Sequence, residues 1–184
     1  MSKIRVLLAD DQALLVTALS TILNAQDDIE VVTTAHTGNE AVTAAISHRI
    51  DVAILDIRMP GMDGIAAAQA ILSRVPDCRI IMLTTFNEEE LVAQSIAAGA
   101  HGFLLKDADP EVLVGAVRDV AKGESVLASQ VTGPVLEAYR TALTRGQLSA
   151  QERQGLSLVT RREMEVLSLI ARGATNGEIA REMV

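Results

Sequence analysis

Up to Gly123 the apolar residues of this chain alternate between two periods, and nothing else in the sequence restricts the fold as much. Short runs rich in Val, Ile, Leu and Ala, at 4–9, 29–35, 51–56, 79–85 and 101–105, read as strands. The stretches between them carry apolar residues at helical spacing, as in Leu15, Ala18, Leu19, Ile22 and Leu23 within 12–25. Punctuation agrees with this reading. Thr37 with Glu40, and Asn87 with Glu90, make capping boxes; Asp63-Gly64 starts one helix and Asp109-Pro110-Glu111 another. Gly99 and Gly123 stop helices ending near Ala98 and Lys122. Five strand–helix units with short connections imply parallel strands, right-handed crossovers and helices on both faces. The expected fold is α/β, a doubly wound five-stranded parallel sheet in the order 2-1-3-4-5.

Composition narrows the class further. The chain has 184 residues, 49% hydrophobic but only 2% aromatic, so its core is aliphatic. No apolar run reaches membrane-span length, and the start lacks the apolar core of a secretion signal. The single cysteine, Cys78, excludes an internal disulfide, fits a reducing cytoplasm and reads as a packing residue. The net charge of −8 is unevenly placed. Residues 1–121 hold 17 acidic and 8 basic side chains; residues 122–184 hold 7 and 8. The first part repels nucleic acid and the second does not, which fits two modules with different partners.

In an open α/β sheet, ligands bind at the carboxyl ends of the strands. Those ends carry Asp10 and Asp11, then Asp56, Thr84 and Lys106. Carboxylates 4 Å apart repel by about 4 kcal/mol per pair at an effective dielectric near 20. A hard divalent cation such as Mg²⁺ offsets that repulsion and leaves coordination positions for water or phosphate oxygens. The set therefore suits phosphoryl chemistry, with Asp56 as nucleophile, Lys106 as a second positive charge and Thr84 as hydroxyl donor.

Asp10-Asp11, Asp56, Met59-Pro60-Gly61-Met62-Asp63-Gly64, Thr84-Thr85 and Phe103-Leu104-Leu105-Lys106-Asp107 resemble the receiver domain of two-component response regulators. Met62-Asp63-Gly64 and Gly99-Ala100-His101-Gly102-Phe103-Leu104-Leu105-Lys106 are similar to the NarL/FixJ subfamily, and the likeness covers about residues 3–123. The resemblance implies that Asp56 accepts phosphate from a sensor histidine kinase. It implies that Mg²⁺ is held by Asp11, Asp56, the backbone carbonyl of Arg58 and, through water, Asp10. Thr84 and Lys106 would contact the phosphoryl group, and Thr84 and Phe103 would form a switch. Arg58 and Phe86 fall at positions that tune dephosphorylation. Asp107 stands where many receivers have proline, which puts a cis bond after Lys106 in doubt.

From Leu158 the chain is similar to a LuxR-type helix-turn-helix, through Thr160-Arg161-Arg162-Glu163 and Thr175-Asn176-Gly177-Glu178. The expected organisation is a receiver at 1–123, a helical linker at 124–157 with a helix from Ser125 or Gly133-Pro134 to Leu143, and a partial DNA-binding domain at 158–184. Only two of that family's four helices fit before Val184, so the recognition helix would lie beyond it and DNA binding would belong to the intact parent.

Apolar residues beyond one buried face, Val112, Val114 and Val117 with Leu14 and Leu15, are either a homodimer surface or core. His36, His48 and His101 share no spacing and read as surface or packing residues. The expected function is a phosphorylation-dependent transcriptional regulator that dimerises when phosphorylated, with no membrane partner. Two alternatives are a phosphorylation-independent receiver and an aspartyl-phosphate phosphohydrolase. The latter would want an acid two residues after the nucleophile, where Arg58 stands.

Overall fold

The computed structural model describes residues 3–85 and 89–128, with 132, 133 and 136 beyond them. The elements are β1 (Ile4–Ala9), α1 (Ala13–Asn24), β2 (Ile29–Ala35), α2 (Gly38–Ser47), β3 (Val52–Asp56) and α3 (Gly64–Arg74). They continue with β4 (Arg79–Thr84), α4 (Glu89–Ala97), β5 (Gly102–Leu105), α5 (Pro110–Ala121) and β6 (Val126–Leu127). All pairings are parallel, in the order β2-β1-β3-β4-β5-β6. The 2-1-3-4-5 order is therefore present, with one short strand added at the edge.

β3 sits in the middle of this sheet, and all five of its residues are buried. That explains its unbroken apolar run: helices cover both faces, so neither needs a polar residue. Val6, Leu8, Val52, Ile54, Ile81, Leu83 and Leu104 face one layer of core and meet Val16 and Leu23 of α1 and Leu113 and Val117 of α5. The alternate strand residues, among them Leu7, Leu55, Met82 and Phe103, are equally buried and point to the opposite face. Cys78 packs inside, and burial pushes its thiol up to about 12.

Two of the expected helix starts carry side-chain caps, while Asp109 heads α5 without one. Thr37 Oγ1 accepts from the Glu40 amide at 3.2 Å, and Asp63 Oδ1 accepts from the Ala66 amide at 2.8 Å. The Glu40 carboxylate accepts from the His36 amide (2.8 Å), one residue earlier than a reciprocal capping box requires. Gly99 and Gly123 adopt φ of +94° and +95°, the left-handed turn that ends α4 and α5. The Lys106–Asp107 peptide is trans.

Two alternatives left open by the sequence resolve. Of the two helix starts the sequence allows, the one at Ser125 does not occur: Val126 and Leu127 pair with Gly102 and Phe103 as β6, within a compact unit of Met1–Leu127. The β-branched Val126 favours a strand once an edge is available beside it. Of the possible dimer residues, Val114 (6% exposed) and Val117 (0%) lie in the core, because α5 buries a wide stripe against the sheet. Leu15 is half-buried, while Leu14 and Val112 are exposed. Phe86, the Asn87 cap, the linker past Ala128 apart from residues 132, 133 and 136, and both helices of the helix-turn-helix lie outside the described residues.

Gly115 lies inside α5 with nothing within 4 Å of where a Cβ would sit. Gly115→Ala is expected to stabilise the fold by about 1 kcal/mol through helix propensity alone. The change would be read as a higher urea midpoint at constant slope.

Candidate functional site

The central strands deliver the acids to one point. β1 and β3 are paired with Ala9 opposite Leu55, so Asp10 and Asp56 leave adjacent strands side by side. Asp10 and Asp56 are buried and Asp11 is exposed, yet carboxylate oxygens of all three lie within 4.8 Å of one another. From β5, Lys106 places Nζ 2.8 Å from Asp10 Oδ2 and 2.8 Å from Asp56 Oδ2. The other oxygens bind backbone. Asp10 Oδ1 accepts from the Gln12 amide at 2.9 Å, and Asp56 Oδ1 from the Arg58 amide at 3.2 Å.

Burial raises the Asp56 pKa above the ordinary carboxylate value, the Lys106 hydrogen bond opposes this, and the Asp10 charge adds to it. Burial also works against the Lys106 charge, but hydrogen bonds to Asp10 and Asp56 outweigh it and hold the ammonium above its usual range. One ammonium thus faces two buried carboxylates and a third at the rim. Apart from the Lys106 ammonium, Asp10 Oδ2 and Asp56 Oδ2 have no hydrogen-bond partner among the described residues. An excess of hard anionic oxygen with unfilled lone pairs fits a Mg²⁺ ion.

Thr84 ends β4 and is buried; its hydroxyl donates to the Thr85 carbonyl at 3.1 Å. The Lys106 amide donates to the Thr84 carbonyl at 2.9 Å, tying the lysine end of β5 to it. The Phe103 ring is buried on β5, beside Met82 of β4. Arg58 is exposed at the mouth.

Two features at the site were missed in the sequence. His36, read as a surface or packing residue, places Nδ1 3.0 Å from the Asp10 carbonyl and so braces the acidic turn. No spacing in the sequence marks that contact. Gly64 was read only as part of a helix start. A Cβ there would lie 2.0 Å from the Asp56 carbonyl oxygen, while its amide donates to the Ile57 carbonyl at 2.9 Å. The β3–α3 loop closes this tightly only around glycine. Gly64→Ala is expected to cost about 2–3 kcal/mol, because the obstructing atoms are backbone and cannot yield. A urea melt beside wild type would read it.

Against known families, the model for the response regulator receiver domain matches residues 6–118, more than half of the chain. The chain belongs to the two-component response regulators. A second model, for bacterial regulatory proteins of the LuxR family, matches residues 156–184. The transcriptional regulatory protein LiaR of Bacillus subtilis is 40% identical over 180 residues, covering 98% of this chain and 82% of LiaR. The receiver domain of the response regulator NarL from Mycobacterium tuberculosis superposes with a TM-score of 0.65 at 38% identity, covering 67% of this chain and all of that one. A CheX–CheY–BeF3–Mg²⁺ complex from Borrelia burgdorferi matches with a TM-score of 0.60 at 32% identity, over 65% of this chain and 90% of that one.

The response regulator is accordingly a LuxR-family transcription regulator whose acidic cluster of Asp10, Asp11 and Asp56 is its phosphorylation site. It is a phosphoacceptor and not an enzyme, which sets aside the phosphohydrolase reading. Among the described residues no helix is long and apolar enough to cross a membrane.

Proposed function

We propose that Asp56 is the residue phosphorylated, that a sensor histidine kinase is the donor, and that Mg²⁺ assists. The observation that carries this is the position of Asp56: buried at the end of the central strand, beside two more carboxylates and 2.8 Å from the Lys106 ammonium. Asp11, Asp56 and the Arg58 carbonyl would hold the metal, with Asp10 acting through water. The metal would neutralise charge on the phosphoryl oxygens. Lys106 would shift its contact from the carboxylate to the phosphoryl group, and the Thr84 hydroxyl would turn from the Thr85 carbonyl to donate to it. Phe103, already buried, would hold the inward position as Thr84 moves.

Phosphorylation would favour a homodimer, with Leu14 and Val112 as its exposed apolar residues and Leu15 partly available. DNA would be read through the LuxR-type region, to which residues 158–184 belong, with residues 124–157 as linker. A cytoplasmic location follows from a kinase donor and one reduced, buried cysteine.

The test is incubation with a small acyl phosphate, with and without Mg²⁺, followed by intact mass and light scattering. Gain of one phosphoryl group only with Mg²⁺, together with a doubled mass in solution, supports the reading. No phosphoryl gain contradicts it. Gain without any change in oligomeric state removes the dimer and leaves the phosphoacceptor.

A further inference from the structure

We propose that β6 is a latch that passes the state of the phosphorylation pocket to the chain beyond Leu127. The inference rests on Asp56 being the phosphoacceptor. β5 is held at both ends by groups that matter. Its carboxyl end runs into Lys106, whose Nζ is 2.8 Å from both Asp10 and Asp56. Along its free side lies β6, with Gly102 opposite Val126 and Phe103 opposite Leu127. The four-residue strand β5 therefore separates the phosphoryl contact from the last paired residue of the compact unit, which ends at Leu127.

The contact is close and specific. The Val126 amide donates to the His101 carbonyl at 3.3 Å. His101 is fixed in turn to β4: its amide donates to the Ile80 carbonyl (2.8 Å) and its Nδ1 accepts from the Ile80 amide (3.1 Å). Opposite Val126 the strand carries no side chain. A Cβ on Gly102 would stand 3.4 Å from the Val126 carbonyl oxygen and 3.3 Å from Ile81 and Val120. Val126 packs against the core, while Leu127 remains 40% exposed.

The same geometry makes β6 easy to release. It is two residues long and lies on a sheet edge, joined to α5 only through Lys122 to Ser125. So short a strand has little stability of its own and lies among the first segments to open. What retains it is register with β5, and β5 is pulled from its Lys106 end by whatever occupies Asp56. A phosphoryl group changes that pull without needing α5 to move.

Hydrogen exchange followed by mass spectrometry on the full chain tests this, before and after phosphorylation by an acyl phosphate with Mg²⁺, with the phosphoryl gain read in the same sample. In wild type, exchange in peptides covering 124–128 and in those that follow Leu127 should change by about threefold or more, the scale of a modest shift in local opening. Val126→Pro removes the amide that donates to His101. That variant should still gain the phosphoryl group but lose the phosphorylation-dependent change in peptides beyond Leu127. Phosphorylated wild type with unchanged exchange at 124–128 overturns the latch and leaves the phosphoacceptor standing. A Val126→Pro chain that still shows the change beyond Leu127 overturns it as well. Wild type that gains no phosphoryl group overturns both, and the wild-type measurement decides alone should the variant misfold.

Discussion

Asp56→Asn will not gain a phosphoryl group from an acyl phosphate and Mg²⁺ under conditions that load the wild type. The amide keeps the shape of the carboxylate but is not a nucleophile, so the loss is to background. Folding should survive the change. Asp56 is buried with its pKa raised by burial first, so removing its charge relieves desolvation and its repulsion with Asp10. Lys106 keeps Asp10 as a partner at 2.8 Å. Stability within about 1 kcal/mol of wild type, or above it, is expected from the near balance of desolvation and attraction in buried ion pairs. A variant that folds like wild type and carries no phosphate separates the chemistry from the scaffold. Equal loading of the variant would place the acceptor elsewhere.

Lys106→Met should be the most destabilising change at the site. It removes the cation that lies 2.8 Å from two buried carboxylates and leaves them facing each other. Breaking a buried pair by deleting one partner costs about 3–5 kcal/mol. The loss should depend on pH, and the sign follows from Asp56. Its carboxyl is already raised above the ordinary value, and without Lys106 it rises further. The folded state then binds more protons than the unfolded state between the two values, so stability falls as pH rises through that window and recovers as pH is lowered. With a chelator present, urea midpoints of variant and wild type should lie far apart at neutral pH and converge under mild acid. A gap unchanged by pH would mean that Lys106 acts by packing and not by charge.

The fold was legible because each element announces itself. β3 reads as a buried strand through Val52, Ile54 and Leu55, and Thr37 and Asp63 cap helices where their spacing says they should. The acids and Lys106 were legible because topology alone brings strand ends together. What escaped depends on contacts distant in sequence. β6 is two residues with no period to detect, and it forms only because β5 offers an open edge. Val114 and Val117 could not be divided from Val112 by pattern, since the width of the stripe α5 buries depends on what faces it. Gly64 looked like a helix start, and its second role appears only when the Asp56 carbonyl is placed against it. His36 reaches Asp10 from the end of the neighbouring strand β2, and its neighbours in the sequence carry no sign of this.

The most direct measurement is to trap the phosphorylated chain with borohydride, which reduces an acyl phosphate to the alcohol, and to map the modified residue by peptide mass. One Mg²⁺-dependent modification is expected, at Asp56. Modification at Asp10 or Asp11, or none in a chain that binds Mg²⁺, would contradict it.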